Sequence, residues 1–243
     1  MKTTRTVATA RRVVNQLRHD HRTVALILVV PCVLMSLLAW MLSAGDFDRY
    51  GAPLLGIFPL VVMFLTTSVT TLRERESGTL ERLLSMPIGK ADFVLGYALA
   101  FGGLAVLQAL VVAGLSMGLL GLDILAPAWT LILVAVVNAL LGTAMGLFVS
   151  AFANTEFQAV QFMPALIFPQ LLLCGIVVPR DELPTPLRLL SDAMPMSYAV
   201  DATREVMTHT STTATFWWSV AVVAGFMAVG LALGAATLRR RTP

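Results

Sequence analysis

Long apolar runs separated by short polar segments set the pattern of this chain. Uncharged stretches cover residues 23–45, 50–72, 93–122, 124–155, 157–179 and 206–238. Each can hold a helix of the about 20 residues that crosses a bilayer. Their central parts, 24–42, 53–71, 93–115, 130–150, 160–178 and 217–238, predict six transmembrane helices. Strands of alternating hydrophobicity, about ten residues each, are missing, which excludes a membrane β-barrel. Ahead of the first run, Val7, Ala10, Val14 and Leu17 recur at helical spacing while Arg11, Asn15 and Arg18 face elsewhere. This predicts an amphipathic helix within residues 1–22, lying on the inner leaflet. Pro164 and Pro169 predict a kink in the fifth span. Beyond it, residues 179–215 are too patterned for a plain loop: Leu187, Leu190 and Met194, then Tyr198 and Ala202, recur at three- and four-residue intervals. Pro184, Pro186 and Pro195 stand at helix-start positions. Two short amphipathic helices are expected there, dipping back into the outer leaflet and packed against protein.

Composition strengthens the membrane reading. The chain is 57% hydrophobic and 13% charged, with a mean hydropathy of +0.82, against about 25% charged residues in soluble domains. Lys and Arg then set orientation. With both termini inside, thirteen of the 17 fall in cytoplasmic segments, and only Arg49, Arg180, Arg188 and Arg204 lie outside. The pI near 9.2 is thus topogenic and lipid-facing, and no nucleic-acid partner is expected. The basic residues before residue 23 and the length of the first run suit an uncleaved helix better than a signal peptide. Cys32 and Cys174 fall toward opposite ends of the spans and are read as packing residues.

The spans hold no Asp, Glu, Lys or Arg in their cores, which argues against proton or sodium coupling within this chain. His19, His21 and His209 lack metal-ligand spacing. A GxSxG elbow is absent, and Gly89-Lys90-Ala91 lacks the upstream glycine and the hydroxyl of a phosphate loop. No catalytic residue, metal or cofactor is expected in the chain itself. Polar uncharged residues do occur in the spans: Thr66, Thr67, Ser68, Thr70 and Thr71, then Gln108, Asn138, Gln158, Gln161 and Gln170. Such side chains either bond across helices and back to carbonyls or line a pathway. The pairs Gly114/Gly118, Gly142/Gly146 and Gly230/Gly234 permit close helix approach.

One inter-helix loop is densely charged. Residues 73–96 read RERESGTLERLLSMPIGKADFVLG. Ser77 or Gly78 can open a short helix; Leu80, Leu83 and Leu84 form its apolar ridge; Glu81 and Arg82 point away; and Pro87 ends it. Such a helix on the cytoplasmic face is a docking element for another protein or for lipid headgroups.

The same stretch, from Glu74 and Glu76 through Gly78, Thr79, Leu80, Glu81, Arg82, Leu83 and Leu84 to Pro87, resembles the E-R-E-x-G-T-L-E-x-L-L-x-x-P pattern that follows the second span of ABC-2 type (type V) exporter permeases. A second landmark, CGIVVPRDELPTPLRLLSDAMPMSYAVDATREVM at residues 174–207, is similar to that family's fifth-helix exit. It holds Gly-x-x-x-Pro at Gly175 and Pro179, then P-x-x-Y-x-x-x-A-x-R at Pro195, Tyr198, Ala202 and Arg204. Met194 departs from the asparagine that many relatives carry. The resemblance implies an all-α integral membrane fold: a single domain over 1–243, with helices 1–2 at 24–72, a coupling-helix loop at 73–90, helices 3–5 at 91–178, external re-entrant helices at 179–215, helix 6 at 216–238 and a cytoplasmic tail at 239–243. It further implies two copies of a separate ATP-binding subunit carrying ATP and Mg, a second permease copy or related chain, and outward movement of an amphipathic drug, antibiotic, lipid or glycan across the plasma membrane of a bacterium. Under that reading Tyr198 and Arg204 anchor the external helices, and Thr66, Thr67, Ser68, Gln108, Asn138, Gln161 and Gln170 are candidates for the pathway. An ATP-independent secondary transporter or channel is the alternative.

Overall fold

The computed structural model describes residues 3–76 and 90–237, with side chains described over 6–75 and 92–237. Apart from one short 3-10 turn, the regular structure among these residues is α-helical: α1 (Thr3–His19), α2 (His21–Met41), α3 (Ala44–Glu76), α4 (Lys90–Gly118), α5 (Ala128–Ser150), α6 (Glu156–Leu173), α7 (Thr185–Asp192), α8 (Pro195–Thr208) and α9 (Ala214–Thr237). Local chemistry fixes several ends. The Asp20 carboxylate accepts from the Thr23 amide at 3.1 Å and its hydroxyl at 2.6 Å, capping α2 where α1 stops. The Thr155 hydroxyl does the same for α6, accepting from the Gln158 amide at 3.2 Å. Pro195 occupies the first position of α8, where its missing N–H costs nothing.

Five helices are long and apolar enough to cross a membrane, within α2, α3, α4, α5 and α9. The fifth predicted span differs. Its helix, α6, has 18 residues and carries Glu156, three glutamines and two prolines, so it falls short of the other five in apolarity. It also ends earlier than residue 178, because Gly175 takes φ +96°, a left-handed geometry that stops an α-helix and suits glycine. Conversely, α3 is longer than its predicted span. Its 33 residues at about 1.5 Å each outrun a hydrocarbon core of about 30 Å, so Asp46, Asp48 and Arg49 ride its first turns and Arg73 to Glu76 its last.

The centre of the bundle is the pair α3 and α5. A Cβ at Gly142 would overlap the Leu60 carbonyl, and one at Gly146 would lie 2.6 Å from the Phe64 oxygen. Gly56 meets the Asn138 amide in the same series, so the two helices run parallel with backbones in contact. Along its other side, α5 receives α9, whose Gly230 and Gly234 face Ala144 and Phe148. The pair Gly114/Gly118 has nothing within 4 Å and makes no such seam among the described residues. On the flank, α2 joins α4 through Gln108, whose Nε2 donates to the Ile27 carbonyl at 2.7 Å.

Against the bundle, α1 packs by a face that only partly overlaps its apolar stripe. Thr6, Thr9, Val13 and Leu17 are buried, whereas Val7 is 60% exposed and Val14 partly so. The partner decides this: Gly96 of α4 leaves room for Thr9, and Thr6 reaches Asp92 at 3.4 Å, so small hydroxyl residues turn inward. Val13 and Leu17 then join Phe93, Tyr97 and Phe101 in one apolar cluster. Outward-facing Leu26, Val29, Val33 and Leu37 of α2 and Val229 and Leu233 of α9 remain exposed, as lipid-facing positions do.

Candidate functional site

The residues that bear the family-like motifs collect at opposite ends of the bundle. At one end α3 finishes in Arg73, Glu74 and Arg75, and each of these neighbours turns to a different element. Arg73 forms a two-pronged pair with Glu156 at the start of α6, Nε to Oε1 at 2.6 Å and Nη2 to Oε2 at 2.8 Å. Glu74, 5% exposed, accepts from Arg12 of α1 at 3.0 Å. The same Arg12 Nη2 donates to the Tyr97 hydroxyl of α4 at 2.7 Å. Arg75 donates to the Ser150 carbonyl at the end of α5. Consecutive helical residues point about 100° apart, so a three-residue charged run can reach three neighbours. Glu74, the first residue of the family-like pattern, is thus turned inward to Arg12. Glu76 closes α3. Gly78, Thr79, Leu80, Glu81, Arg82, Leu83, Leu84 and Pro87 lie outside the described residues, as does the tail 239–243.

At the opposite end the chain leaves α6 through Gly175, passes a 3-10 turn at Arg180–Glu182 capped by Pro179, and enters α7 and α8. Arg204 of α8 donates to the Gly175 carbonyl, and a Cβ at Gly175 would stand 3.4 Å from both of its terminal nitrogens. The Tyr198 hydroxyl donates to the Asp192 carbonyl at 2.8 Å. Arg180, which the motif reading did not single out, pairs with both Asp192 and Asp201 and lies over the Tyr198 ring at 5.4 Å. Burial pushes the Asp201 carboxyl above its ordinary value, against the pull of Arg180 and Arg204. Ala202 is buried with Val206 in the cluster that joins α8 to α3, α5 and α9. On α7, by contrast, Leu187, Leu189 and Leu190 stay exposed.

The polar residues considered for a pathway do not converge. Thr67 and Ser68 of α3 are buried, and Ser68 bonds back to the Leu65 carbonyl. Gln108 faces α2, and Asn138 sits against Gly56 with neither amide atom hydrogen-bonded. Gln170 reaches the first turn of α8, its Oε1 accepting from the Met196 amide at 3.4 Å. Gln161 is exposed and Thr66 half-buried. Among the described residues no group of three His, Cys, Asp or Glu could hold a metal ion. Cys32 and Cys174 are both free thiols.

Comparison with known proteins follows the same lines. The chain is 24% identical over 188 residues to the probable multidrug ABC transporter permease YbhR of Escherichia coli, covering 76% of this chain and 51% of that protein. It is 26% identical over 152 residues to the inner membrane transport permease YhhJ of the same species, covering 60% and 40%. With ABC transporter G family member 20 of Dictyostelium discoideum it shares 27% over 141 residues, 58% of this chain and 19% of that one. The chain therefore spans about half or less of the length of the curated relatives it matches. Five apolar spans and bacterial permease relatives make it a multi-pass protein of the plasma membrane. The family model described as ABC-2 type transporter matches residues 5–208, both ends of the bundle included, and the chain belongs to that family.

Proposed function

We propose that this chain is the membrane-spanning permease subunit of an ATP-binding cassette exporter and moves an amphipathic substrate outward. ATP and Mg are bound and turned over by a separate ATP-binding subunit, two copies per assembly, and a second permease chain completes the pathway. In this reading both termini are cytoplasmic, α6 with the bent segment after it makes the sixth crossing, and α7 and α8 form the external re-entrant helices. Residues 79–85 form the coupling helix, with Leu80, Leu83 and Leu84 in a groove of the ATP-binding subunit and Glu81 and Arg82 at its rim.

The observation that carries the proposal is the three-way attachment at the end of α3. A push on the loop that follows reaches α6 through Arg73, α1 and α4 through Glu74 and Arg12, and α5 through Arg75. An element that merely rested on lipid would not need such a linkage. Names of relatives such as the multidrug permease YbhR agree with an amphipathic drug-like substrate.

The test is Leu83→Asp in the complex purified with its ATP-binding subunit. Burial of one leucine contributes roughly 1.5 to 3 kcal/mol and each 1.4 kcal/mol is tenfold, so docking should weaken at least about tenfold. Glu81→Ala, at the rim, should bind almost as the parent does while hydrolysing less ATP in response to substrate. Undiminished partner retention and substrate-stimulated hydrolysis in Leu83→Asp would remove the coupling assignment, and transport that persists without ATP would favour a channel.

A further inference from the structure

A cavity of about 500 Å³ opens where the first turns of α3, the bend after α6 and the last turns of α8 meet. Three features of its wall are unlike a lining that serves packing alone. First, Arg49 borders it as an exposed cation. Its guanidinium lies over the Tyr50 ring at 5.5 Å, and among the described residues it forms no ion pair with a carboxylate. Second, Arg204 faces the same space and is fixed by the Gly175 carbonyl; Asp201 feels its charge, but the carboxylate of Asp201 is paired to Arg180. Third, one acid, Asp48, stands on the wall against these two cations, its Oδ1 accepting from the Asp123 amide at 2.9 Å. Ile176, Val200 and Met207 add apolar lining. A concave site lined by two cations and by apolar side chains suits a molecule that is anionic at one end and apolar at the other.

The level of the cavity narrows that class. All four tryptophans of the chain lie at this end of the bundle: Trp40 near the end of α2, Trp129 at the start of α5, and Trp217 and Trp218 in the first turns of α9. They are 48% to 86% exposed, and Trp129 and Trp217 stand with ring centroids 6.2 Å apart. Tryptophans so placed sit at the level of lipid headgroups. Arg49 and Arg204 border a cavity at that same end of the bundle.

We propose that this cavity is a binding site for an anionic phospholipid, with Arg49 pairing to the headgroup phosphate, Arg204 adding field from its fixed position, and an acyl chain leaving over Ile176 and Met207. Its assignment to the outer leaflet rests on the orientation proposed above. Lipid preference measured in detergent does not, so the two can fail separately.

The experiment titrates the purified full-length protein, in a neutral detergent, with short-chain phosphatidylglycerol, phosphatidylcholine of the same chains, and inorganic phosphate. Phosphatidylglycerol should bind at least about tenfold more tightly than phosphatidylcholine, a gap of about 1.4 kcal/mol. Arg49→Gln should reduce the gap to about twofold or less while leaving the melting temperature unchanged, since the side chain is exposed. Arg188→Gln, an exposed arginine on α7 away from the cavity, should leave the gap intact. Survival of the preference in Arg49→Gln overturns the proposal. So does an equal loss in Arg188→Gln, which would make it a general surface effect. Inorganic phosphate binding as tightly as phosphatidylglycerol would reassign the site to free anions and overturn the lipid.

Discussion

Asp201 joins two opposing effects in one side chain: burial raises its pKa, while Arg180 and Arg204 hold it down less strongly. The folded value lies above 3.8, so between the unfolded and folded values the native state holds the extra proton. This contribution to stability is fully present below the unfolded pKa and is lost as pH rises through the folded one. Asp201→Asn should flatten that step in a series of thermal melts across acidic pH, with Asp192 left as the partner of Arg180. Tyr198→Phe removes one hydrogen bond to the Asp192 carbonyl and should cost about 1 kcal/mol. Arg204→Ala should lower the melting temperature further and leave the range of exported substrates unchanged; an intact, ATPase-competent assembly with altered substrates would make Arg204 a ligand and not an anchor. Tyr198 and Arg204 could be named from a motif in the sequence. Arg180, Asp192 and Asp201 could not, because nothing in their spacing announces that one arginine turns back over 12 and 21 positions to meet both acids.

The presence of a helix at each expected place is better written in sequence than its length or its packed face: α3 runs past its predicted span and α6 stops short of it. Gly142 and Gly146 were one of three equivalent glycine pairs by pattern, and only packing distinguishes them: they touch backbone of α3, whereas Gly114 and Gly118 touch nothing within 4 Å. Gly142→Leu should therefore destabilise the bundle by about 1 to 3 kcal/mol or more through overpacking, read as a lower melting temperature in detergent. Gly118→Leu should change it by no more than about 0.5 kcal/mol, the scale of an uncrowded surface change. The apolar stripe of α1, read as membrane-facing, leaves Val7 and Val14 exposed; the face that packs on the bundle was not legible, because its neighbour is a glycine-bearing turn of α4 that admits Thr6 and Thr9 closely. The shortened α6 has a similar origin, since apolar Ile176, Val177 and Val178 look helical until Gly175 takes its left-handed turn.

At the scale of the whole molecule, the membrane class and five of the spans follow from hydropathy, while the sidedness is an inference from charge. Single cysteines at Arg49 and Asp123, in a background lacking Cys32 and Cys174, should be labelled by an impermeant thiol reagent in intact cells. Those at Lys90, Glu156 and Arg241 should react only after permeabilisation, and labelling of Lys90→Cys from outside would invert the orientation. The motif at residues 74–87 carries the family resemblance, yet its central residues lie outside the described ones, so only Glu74 and its neighbours are seen joining the bundle. That attachment restricts how α3 can move. Arg73, Glu74 and Arg75 alternate in sign and each holds a separate neighbour, so spinning α3 about its long axis by one residue would bring Arg73 or Arg75 toward Arg12. Axial rotation is thereby the disfavoured degree of freedom. What remains open to a helix gripped on three sides at its tip is tilt, with α1, α5 and α6 carried along as a lever carries its pins.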